Sequence, residues 1–215
     1  AKRPGIGVDV RRTTVAAHLC DLNSGEVVAS AGVMNPQIRY GEDLMSRVSY
    51  VMMHPEGAEL LTDAIREAIN GLFIELSGEA SSQIEDILEI ALVANPIMHH
   101  ILLGINPVNL GTAPFALTTS DAVDTRAAEV GLTAHPEARL YCLPCIAGHV
   151  GADAAGVILA EAPDRSQAMT LVVDVGTNAE IVLANNQRLL VCSSPTGPAF
   201  EGAQISAGQR ATIGA

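Results

Sequence analysis

Aromatic side chains make up only 3% of this 215-residue sequence, and tryptophan is absent. Because 48% of the residues are nevertheless hydrophobic, the core must be built mainly from Ala, Val, Ile and Leu. Aliphatic segments of this kind are typical of strands buried in a parallel or mixed sheet with helices on its faces. A chain of this length can bury the core of one large domain or two small ones. The composition therefore indicates an α/β protein.

Basic residues are also scarce, with 12 Lys and Arg against 24 Asp and Glu and a formal net charge of −12. A surface of this sign repels phosphate backbones, which excludes general nucleic-acid binding. A site for a smaller phosphate ligand must then use backbone N–H groups or a metal ion rather than a basic patch.

The sequence contains no apolar run near the ~20 residues of a membrane span, and its first residues have no signal-peptide core. Its four cysteines, at 20, 142, 145 and 192, are too scattered for a secreted disulfide framework. These features predict no membrane partner and a cytoplasmic location. The pair Cys142 and Cys145 forms a CxxC, but a lone pair supplies only two ligands and a structural zinc site needs four, so no metal site is predicted there.

Hydrophobic periodicity predicts alternating strands and helices. Strands are predicted at 5–10, 13–20, 26–31, 88–94, 140–142, 170–175, 180–184 and 188–193, and helices at 42–53, 56–76, 96–103 and 152–162, with a short one near 121–130. In the helix at 96–103, His99 and His100 point about 100° apart, which predicts one partly buried and one exposed ring.

The clearest chemical signal is the segment VVDVGTNAEIVL at 172–183. An apolar strand ends at Asp174, and Gly176 allows a sharp turn. Thr177 and Asn178 then place a hydroxyl, an amide and backbone N–H groups around one small volume. Such a turn can bind phosphate oxygens while Asp174 holds Mg²⁺ through water. By itself the segment also fits an ordinary hairpin, because short motifs are weakly specific.

A second segment, IGVDVRRTTVAAHL at 6–19, repeats this design. Asp9 ends an apolar strand, and Thr13 and Thr14 follow it. Two such turns separated by a largely helical insert resemble the superfamily of acetate kinase, sugar kinases, heat-shock chaperones and actin. In that superfamily two ribonuclease H-like halves face each other, and the two hairpins hold the nucleotide phosphates between them.

The stretches NPQIRYGEDLMSRVSYV (35–51), MHHILLGI (98–105), LPCIAGHVGADAAGVIL (143–159) and GPAFEGAQISAGQRATIGA (197–215) carry a more specific resemblance. They are similar to the reductive activators of corrinoid-dependent methyltransferases and corrinoid/iron–sulfur proteins. In that family ATP binding or hydrolysis drives an uphill electron transfer that returns an inactive Co(II) corrinoid to Co(I). The resemblance implies ATP and Mg²⁺ as cofactors and a corrinoid protein or corrinoid-dependent methyltransferase as partner. The resemblance does not decide whether the protein forms a homodimer.

The fold implied is an actin-like ATPase fold of ribonuclease H-like type, with mixed sheets flanked by helices. Residues 1–165 are expected to form the first ribonuclease H-like subdomain with its helical insert, and residues 166–215 the start of an incomplete second one. The chain is expected to be a fragment. The family's ferredoxin-like domain, which carries a 2Fe–2S cluster, precedes the region that resembles this chain.

The resemblance also implies roles for individual residues. Asp9 and Asp174 are expected to be the catalytic carboxylates and the metal ligands. The expected nucleotide-binding residues are Thr13 and Thr14 in the first turn, Gly176, Thr177, Asn178 and Glu180 in the second, Asn95 at a helix start, Gly151 and Asp153 in a glycine loop, and Gly197 to Gly202 beside the nucleotide.

This chain departs from the family pattern in three places. Arg11 stands where the family's first turn has glycine, and Pro96 and Ile97 stand where it has two threonines. The family's adenine-binding segment lies beyond residue 215, so this chain alone is not expected to hydrolyse ATP. Arg11, Arg12 and Pro96 favour an alternative, a non-catalytic docking module that has lost nucleotide turnover. A small-molecule kinase of the superfamily is a third hypothesis, which phosphoryl transfer to a sugar or acid would reveal.

Overall fold

Short aliphatic strands form a six-stranded mixed sheet in the computed structural model, which describes residues 3–176 and 178–196. The chain divides into two units, Ala1–Gly156 and Val157–Ala215, and this sheet belongs to the first. Its strands are β1 (Pro4–Val10), β2 (Thr14–Asp21), β3 (Val27–Met34), β4 (Glu89–Ala94), β5 (Val123–Arg126) and β6 (Arg139–Cys142), in the order β3-β2-β1-β4-β6-β5.

Strand direction determines where the carboxyl ends of the strands meet. β1 is antiparallel to β2 and parallel to β4, and β4 is parallel to β6. The carboxyl ends of β1, β4 and β6 therefore lie at the same edge of the sheet, which is where α/β proteins bind ligands.

Within the described residues the α-helices are α1 (Leu44–Met53), α2 (Gly57–Glu79), α3 (Pro96–Leu102) and α4 (Ala152–Glu161). The 23-residue α2 packs on β2 and β3 and also contacts α3. Six apolar residues on one face of α2 are at most 2% exposed, namely Leu61, Ile65, Ile69, Leu72, Phe73 and Leu76. No helix in the described ranges has both the length and the apolar character needed to cross a membrane.

The second unit contains an antiparallel sheet of three strands, β7 (Thr170–Val175), β8 (Asn178–Asn185) and β9 (Arg188–Pro195), in the order β7-β8-β9. The strands predicted at 180–184 and 188–193 are confirmed as β8 and β9, which pair as a hairpin and are longer than predicted. At its tip the Asn185 side-chain oxygen accepts hydrogen bonds from the backbone N–H groups of Gln187 and Arg188, both at 3.0 Å. Such local acceptance is what makes asparagine a turn residue.

Two predictions are wrong for reasons of tertiary structure. The helix near 121–130 is instead β5 followed by the short 3₁₀ turn Ala127–Val130, because pairing with β6 overrides the local preference. His99 and His100 are both fully buried. All seven residues of the short helix α3 are buried, so it has no solvent-facing side.

The buried histidines predict an acid-sensitive fold. Burial, with a smaller contribution from His100, lowers the pKa of His99 to about 4. The unfolded chain binds this proton near pH 6.5, so His99 stabilises the fold fully above that pH, and the stabilisation is lost as pH falls towards 4. We expect the free energy of unfolding to drop by about 2 kcal/mol from this residue alone at about pH 5.

Urea unfolding at neutral and at mildly acid pH measures this effect. His99→Leu should reduce the difference between the two conditions, because it removes the titrating group. His18→Gln changes an exposed histidine on β2 and should retain the difference seen in the parent. An equal acid loss in the parent and in His99→Leu would contradict the assignment.

Candidate functional site

The carboxyl edge of the sheet collects the predicted residues of the first unit. In the register of β1 and β4, Asp9 lies opposite Val93, and Asn95 directly follows β4. The glycine loop reaches the same place, because a Cβ built on Gly151 would lie 2.6 Å from the Ala94 carbonyl oxygen. Glycine is thus required here by close backbone packing.

The first predicted phosphate turn spans residues 11–14 and joins β1 to β2. Its ends are linked by a hydrogen bond of 2.9 Å from the Arg11 N–H to the Thr14 carbonyl. Thr13 and Thr14 are both exposed, so their side chains are accessible to a ligand from solvent.

Asp9 presents two differently placed carboxylate oxygens. Oδ2 accepts a hydrogen bond of 2.6 Å from Arg11 Nε, in an ion pair whose arginine side chain is 57% exposed. Oδ1 is buried and has no hydrogen-bond partner among the described residues. A buried acceptor of this kind is normally satisfied, and a metal ion or a metal-bound water would satisfy it here.

The residues around Asp9 fit Mg²⁺ only as a site in which the protein supplies one carboxylate and the ligand and water supply the rest. The described part of the chain contains no group of three or more His, Cys, Asp or Glu side chains that could hold a metal. Mg²⁺, however, is usually held by one or two carboxylates together with substrate phosphates and water. Asp9 can supply such a carboxylate, although the cationic Arg11 next to it would compete.

Asn95 serves as the N-cap of α3. Its side-chain oxygen accepts a hydrogen bond of 3.0 Å from the Met98 N–H, and Pro96 occupies the first helical position. Pro96 and Ile97, which replace the two threonines of the family pattern, are buried. The first turn of α3 therefore offers no hydroxyl group, and the role of Asn95 in nucleotide binding stays a prediction.

Asp153 lies in the first turn of α4, where its Oδ1 accepts a hydrogen bond of 2.9 Å from the Ala154 N–H.

The thiols of Cys142 and Cys145, which precede the glycine loop 148–151, are unreactive. Burial raises the pKa of Cys142 to about 12 and that of Cys145 to about 11. Both remain protonated at neutral pH, and a thiol is a much poorer nucleophile and metal ligand than a thiolate.

The second predicted turn connects β7 to β8. The Gly176 N–H donates to the Asn178 carbonyl at 2.8 Å, and the Thr196 hydroxyl donates to the Gly176 carbonyl at 2.6 Å. Asp174 lies directly opposite Glu180 in the strand register. Glu180 Oε1 accepts a hydrogen bond of 3.1 Å from the Ser193 hydroxyl.

The structure groups most predicted residues within their own unit. In the first unit, the residues at the carboxyl edge of the sheet are Asp9, Thr13, Thr14, Asn95, Gly151 and Asp153. In the second unit, the residues on the β7–β8 hairpin are Asp174, Gly176, Asn178 and Glu180. The predictions for Thr177, Gly197 and Gly202 fall outside the described residues.

Sequence reasoning missed three polar residues behind the first turn: Asn35, Gln37 and Arg47, which are all fully buried. Their only sequence signal is that they lie within the stretch 35–51 that carries the family resemblance.

Comparison with known families matches both parts of the chain. Residues 4–166 match the family described as the RACo middle region, and residues 168–215 match the C-terminal domain of RACo, the ASKHA domain. Among solved structures, a reductive activator for corrinoid, iron–sulfur protein has a TM-score of 0.87 and 34% identity, covering 99% of this chain and 34% of that one.

Two curated proteins are also similar. The corrinoid activation enzyme RamQ of Eubacterium limosum is 34% identical over 211 residues, which are 98% of this chain and 35% of that protein. A Co(II) methylated amine-specific corrinoid protein reductase of Methanosarcina barkeri is 26% identical over 98% of this chain and 39% of that protein. This chain therefore spans well under half the length of the curated relatives it matches.

A more distant structure supports the fold alone. A putative 2-dehydro-3-deoxygalactonokinase from Sinorhizobium meliloti has a TM-score of 0.52 and 11% identity, covering 94% of this chain and 57% of that one. Together with the ASKHA match, this likeness confirms the mixed α/β, actin-like fold class predicted from the sequence.

Proposed function

This chain belongs to the RACo family of reductive activators of corrinoid proteins, and we propose that it forms the nucleotide-binding and partner-docking part of such an activator. In the complete activator, one electron would pass from a reduced iron–sulfur cluster outside this region to the Co(II) of a protein-bound corrinoid, giving Co(I).

One observation carries the nucleotide part of this proposal: a turn with two exposed threonines follows Asp9, whose buried Oδ1 has no partner among the described residues. Phosphate oxygens would accept hydrogen bonds from the hydroxyl and N–H groups of Thr13 and Thr14. Asp9 would orient the water shell of Mg²⁺, which when bound supplies positive charge next to the phosphates. Asp174 and Glu180 would act in the same way at the second turn.

Coupling of ATP to reduction requires that the nucleotide bind one conformation of the activator more tightly than another. Binding that is equally tight in both would leave the electron transfer unaffected. We propose that docking of the corrinoid protein and occupation of the two turns favour the same conformation.

The test is spectroscopic and uses the complete activator that contains this region. A corrinoid protein held in the Co(II) state is mixed with the activator and a chemical reductant, and the Co(I) absorption band is followed with and without ATP. Co(I) formation that depends on ATP is expected. Formation at the same rate without ATP would refute the proposed function.

The Arg11–Asp9 ion pair favours the second candidate, a docking module without nucleotide turnover. Its cation already occupies one face of the carboxylate that Mg²⁺ would need. A docking module would bind the corrinoid protein with the same affinity whether or not ATP is present, whereas a working activator would not.

Arg11→Ala is expected to bind Mg·ATP about fivefold more tightly, because an exposed ion pair is worth up to about 1 kcal/mol. Arg11→Gly should gain further, since glycine restores the backbone freedom of the family's turn. Titration calorimetry of both variants measures the effect. Arg126→Ala, which breaks the exposed ion pair with Glu137, is the matched control and should bind as the parent does. Weaker binding by Arg11→Ala would instead mean that Arg11 contacts the phosphates directly.

A further inference from the structure

A polar cluster lies behind the turn 11–14 on the side away from solvent. It consists of Asn35, Gln37 and Arg47, which are fully buried, and Met98, which is 1% exposed. We call these four residues the Arg47 cluster. Polar side chains this deep are costly unless they are hydrogen-bonded, so their bonds indicate what they stabilise.

Arg47 makes four contacts from the interior. Its Nη2 donates to the Arg12 carbonyl at 2.7 Å, and its Nε donates to the Gly41 carbonyl at 3.0 Å. Its Nη1 lies 3.1 Å from Gln37 Oε1 and 3.2 Å from the Met98 sulfur. The planar guanidinium thereby links the first turn to the segment before α1 and to α3.

Asn35 holds the two neighbouring carbonyl groups of the turn. Its side-chain Nδ2 donates to the Arg11 carbonyl at 2.9 Å, and its backbone N–H donates to the Thr13 carbonyl at 2.8 Å. With Arg47 on the Arg12 carbonyl, three consecutive carbonyl groups of the turn are bound from behind.

Peptide planarity converts this anchoring into a binding geometry. Within a trans peptide unit the C=O and the following N–H point in opposite directions, and the peptide bonds of this turn are trans. Because the carbonyls of residues 11–13 point into the Arg47 cluster, the N–H groups of residues 12–14 point away from it. Successive backbone N–H groups of a turn can bind an anion from that side.

The charge of Arg47 acts in the same direction. No carboxylate lies within ion-pair distance of it among the described residues. Burial lowers the pKa of Arg47 to about 10, so the side chain still carries its charge at neutral pH. Asp43 attracts Arg47 electrostatically but forms no ion pair with it, and a buried cation without an ion-pair partner adds little stability by itself. Behind an anion-binding turn, it adds positive potential where the phosphates would lie.

We propose that Arg47 is a positioning residue that, with Asn35, holds the turn 11–14 in the conformation that binds phosphate. Arg47 does not touch the ligand in this proposal and acts through the backbone of Arg12. The proposal rests on the proposed function, which makes this turn a nucleotide phosphate site.

The experiment compares Arg47→Met with Arg66→Met. Arg66 is a matched control, since it is a partly buried arginine whose Nε donates to the Leu102 carbonyl at 2.9 Å. Among the described residues, no hydrogen bond joins Arg66 to the turn 11–14. Two quantities are measured at a temperature where circular dichroism shows each protein folded. The first is amide hydrogen exchange of the turn without ligand, followed at the N–H groups of Arg11 and Asn35, which donate to the Thr14 and Thr13 carbonyls. The second is the affinity for pyrophosphate.

We expect Arg47→Met to speed amide exchange of the turn about tenfold or more and to weaken pyrophosphate binding by a similar factor. Arg66→Met should change neither, even if both variants lose stability. Arg47→Lys keeps the charge but cannot reach two carbonyls at once, so it should show the faster exchange too, and it replaces the methionine variant if that one does not fold.

Unchanged exchange in folded Arg47→Met or Arg47→Lys would overturn the proposal, as would an equal effect of Arg66→Met. Failure of the proposed function has a different signature. The parent would then bind neither pyrophosphate nor ATP, while the exchange measurement would still decide whether Arg47 orders the turn.

Discussion

Asp9→Asn is expected to slow the ATP-dependent formation of Co(I) by the complete activator on the order of 100-fold. Asparagine keeps the shape of the side chain but removes the negative charge that would orient Mg²⁺ and its water. The buried Oδ1, which has no partner among the described residues, becomes a neutral amide atom. The rate should no longer respond to Mg²⁺ over the range in which the parent responds, which is measured from the Co(I) absorption at several Mg²⁺ concentrations.

Asp124→Asn is the matched control for this variant. Asp124 on the edge strand β5 also pairs with an arginine, Arg139, at 2.5 Å and is exposed. The same change of charge there should leave the rate within about twofold of the parent, as is usual for surface substitutions. A parent-like rate in Asp9→Asn would remove Asp9 from the proposed site.

Gly151→Ala is expected to destabilise the first unit by about 2–3 kcal/mol, in the range found for overpacked sites. The new methyl group would lie 2.6 Å from the Ala94 carbonyl oxygen and 2.8 Å from Asn95 Cα. Both are backbone atoms at the end of β4, so they cannot rotate away as a side chain would. The start of α4 must shift, and with it the placement of Asp153.

Urea unfolding measures this loss, with Gly71→Ala as the control. Gly71 lies in α2, where an added Cβ meets nothing within 4 Å. Alanine there should raise stability by about 0.5–1 kcal/mol, because it favours the helix. Equal stability of Gly151→Ala and the parent would mean that the loop accommodates the methyl group. Close backbone packing would then not require glycine at this position.

The parts of the fold that depend on local pattern are predictable from the sequence. Asp9 and Asp174 each end an apolar strand, and a period of 3.6 marks α2 over more than five turns. The hairpin β8–β9 follows from asparagine at its tip. These features depend on neighbours in the sequence, so no tertiary information is needed to find them.

The remaining features depend on contacts between distant segments. Nothing near Arg47 in the sequence shows that the segment 36–43 brings it beneath residues 11–14. β5 pairs with β6, about 15 residues further along the chain, and this pairing overrides a local helical preference. Likewise, the burial of both His99 and His100 requires that α3 be covered on every side, which helix geometry alone does not reveal.

The central proposal is that each strand–Asp turn binds nucleotide phosphates. Titration calorimetry of ATP with Mg²⁺ into the complete activator, its Asp174→Ala variant and its Asp9→Asn variant tests it most directly. The account predicts that the parent binds and that each substitution, one in each unit, weakens binding by about tenfold or more. Parent-like affinity in both variants, or no binding by the parent, would contradict it.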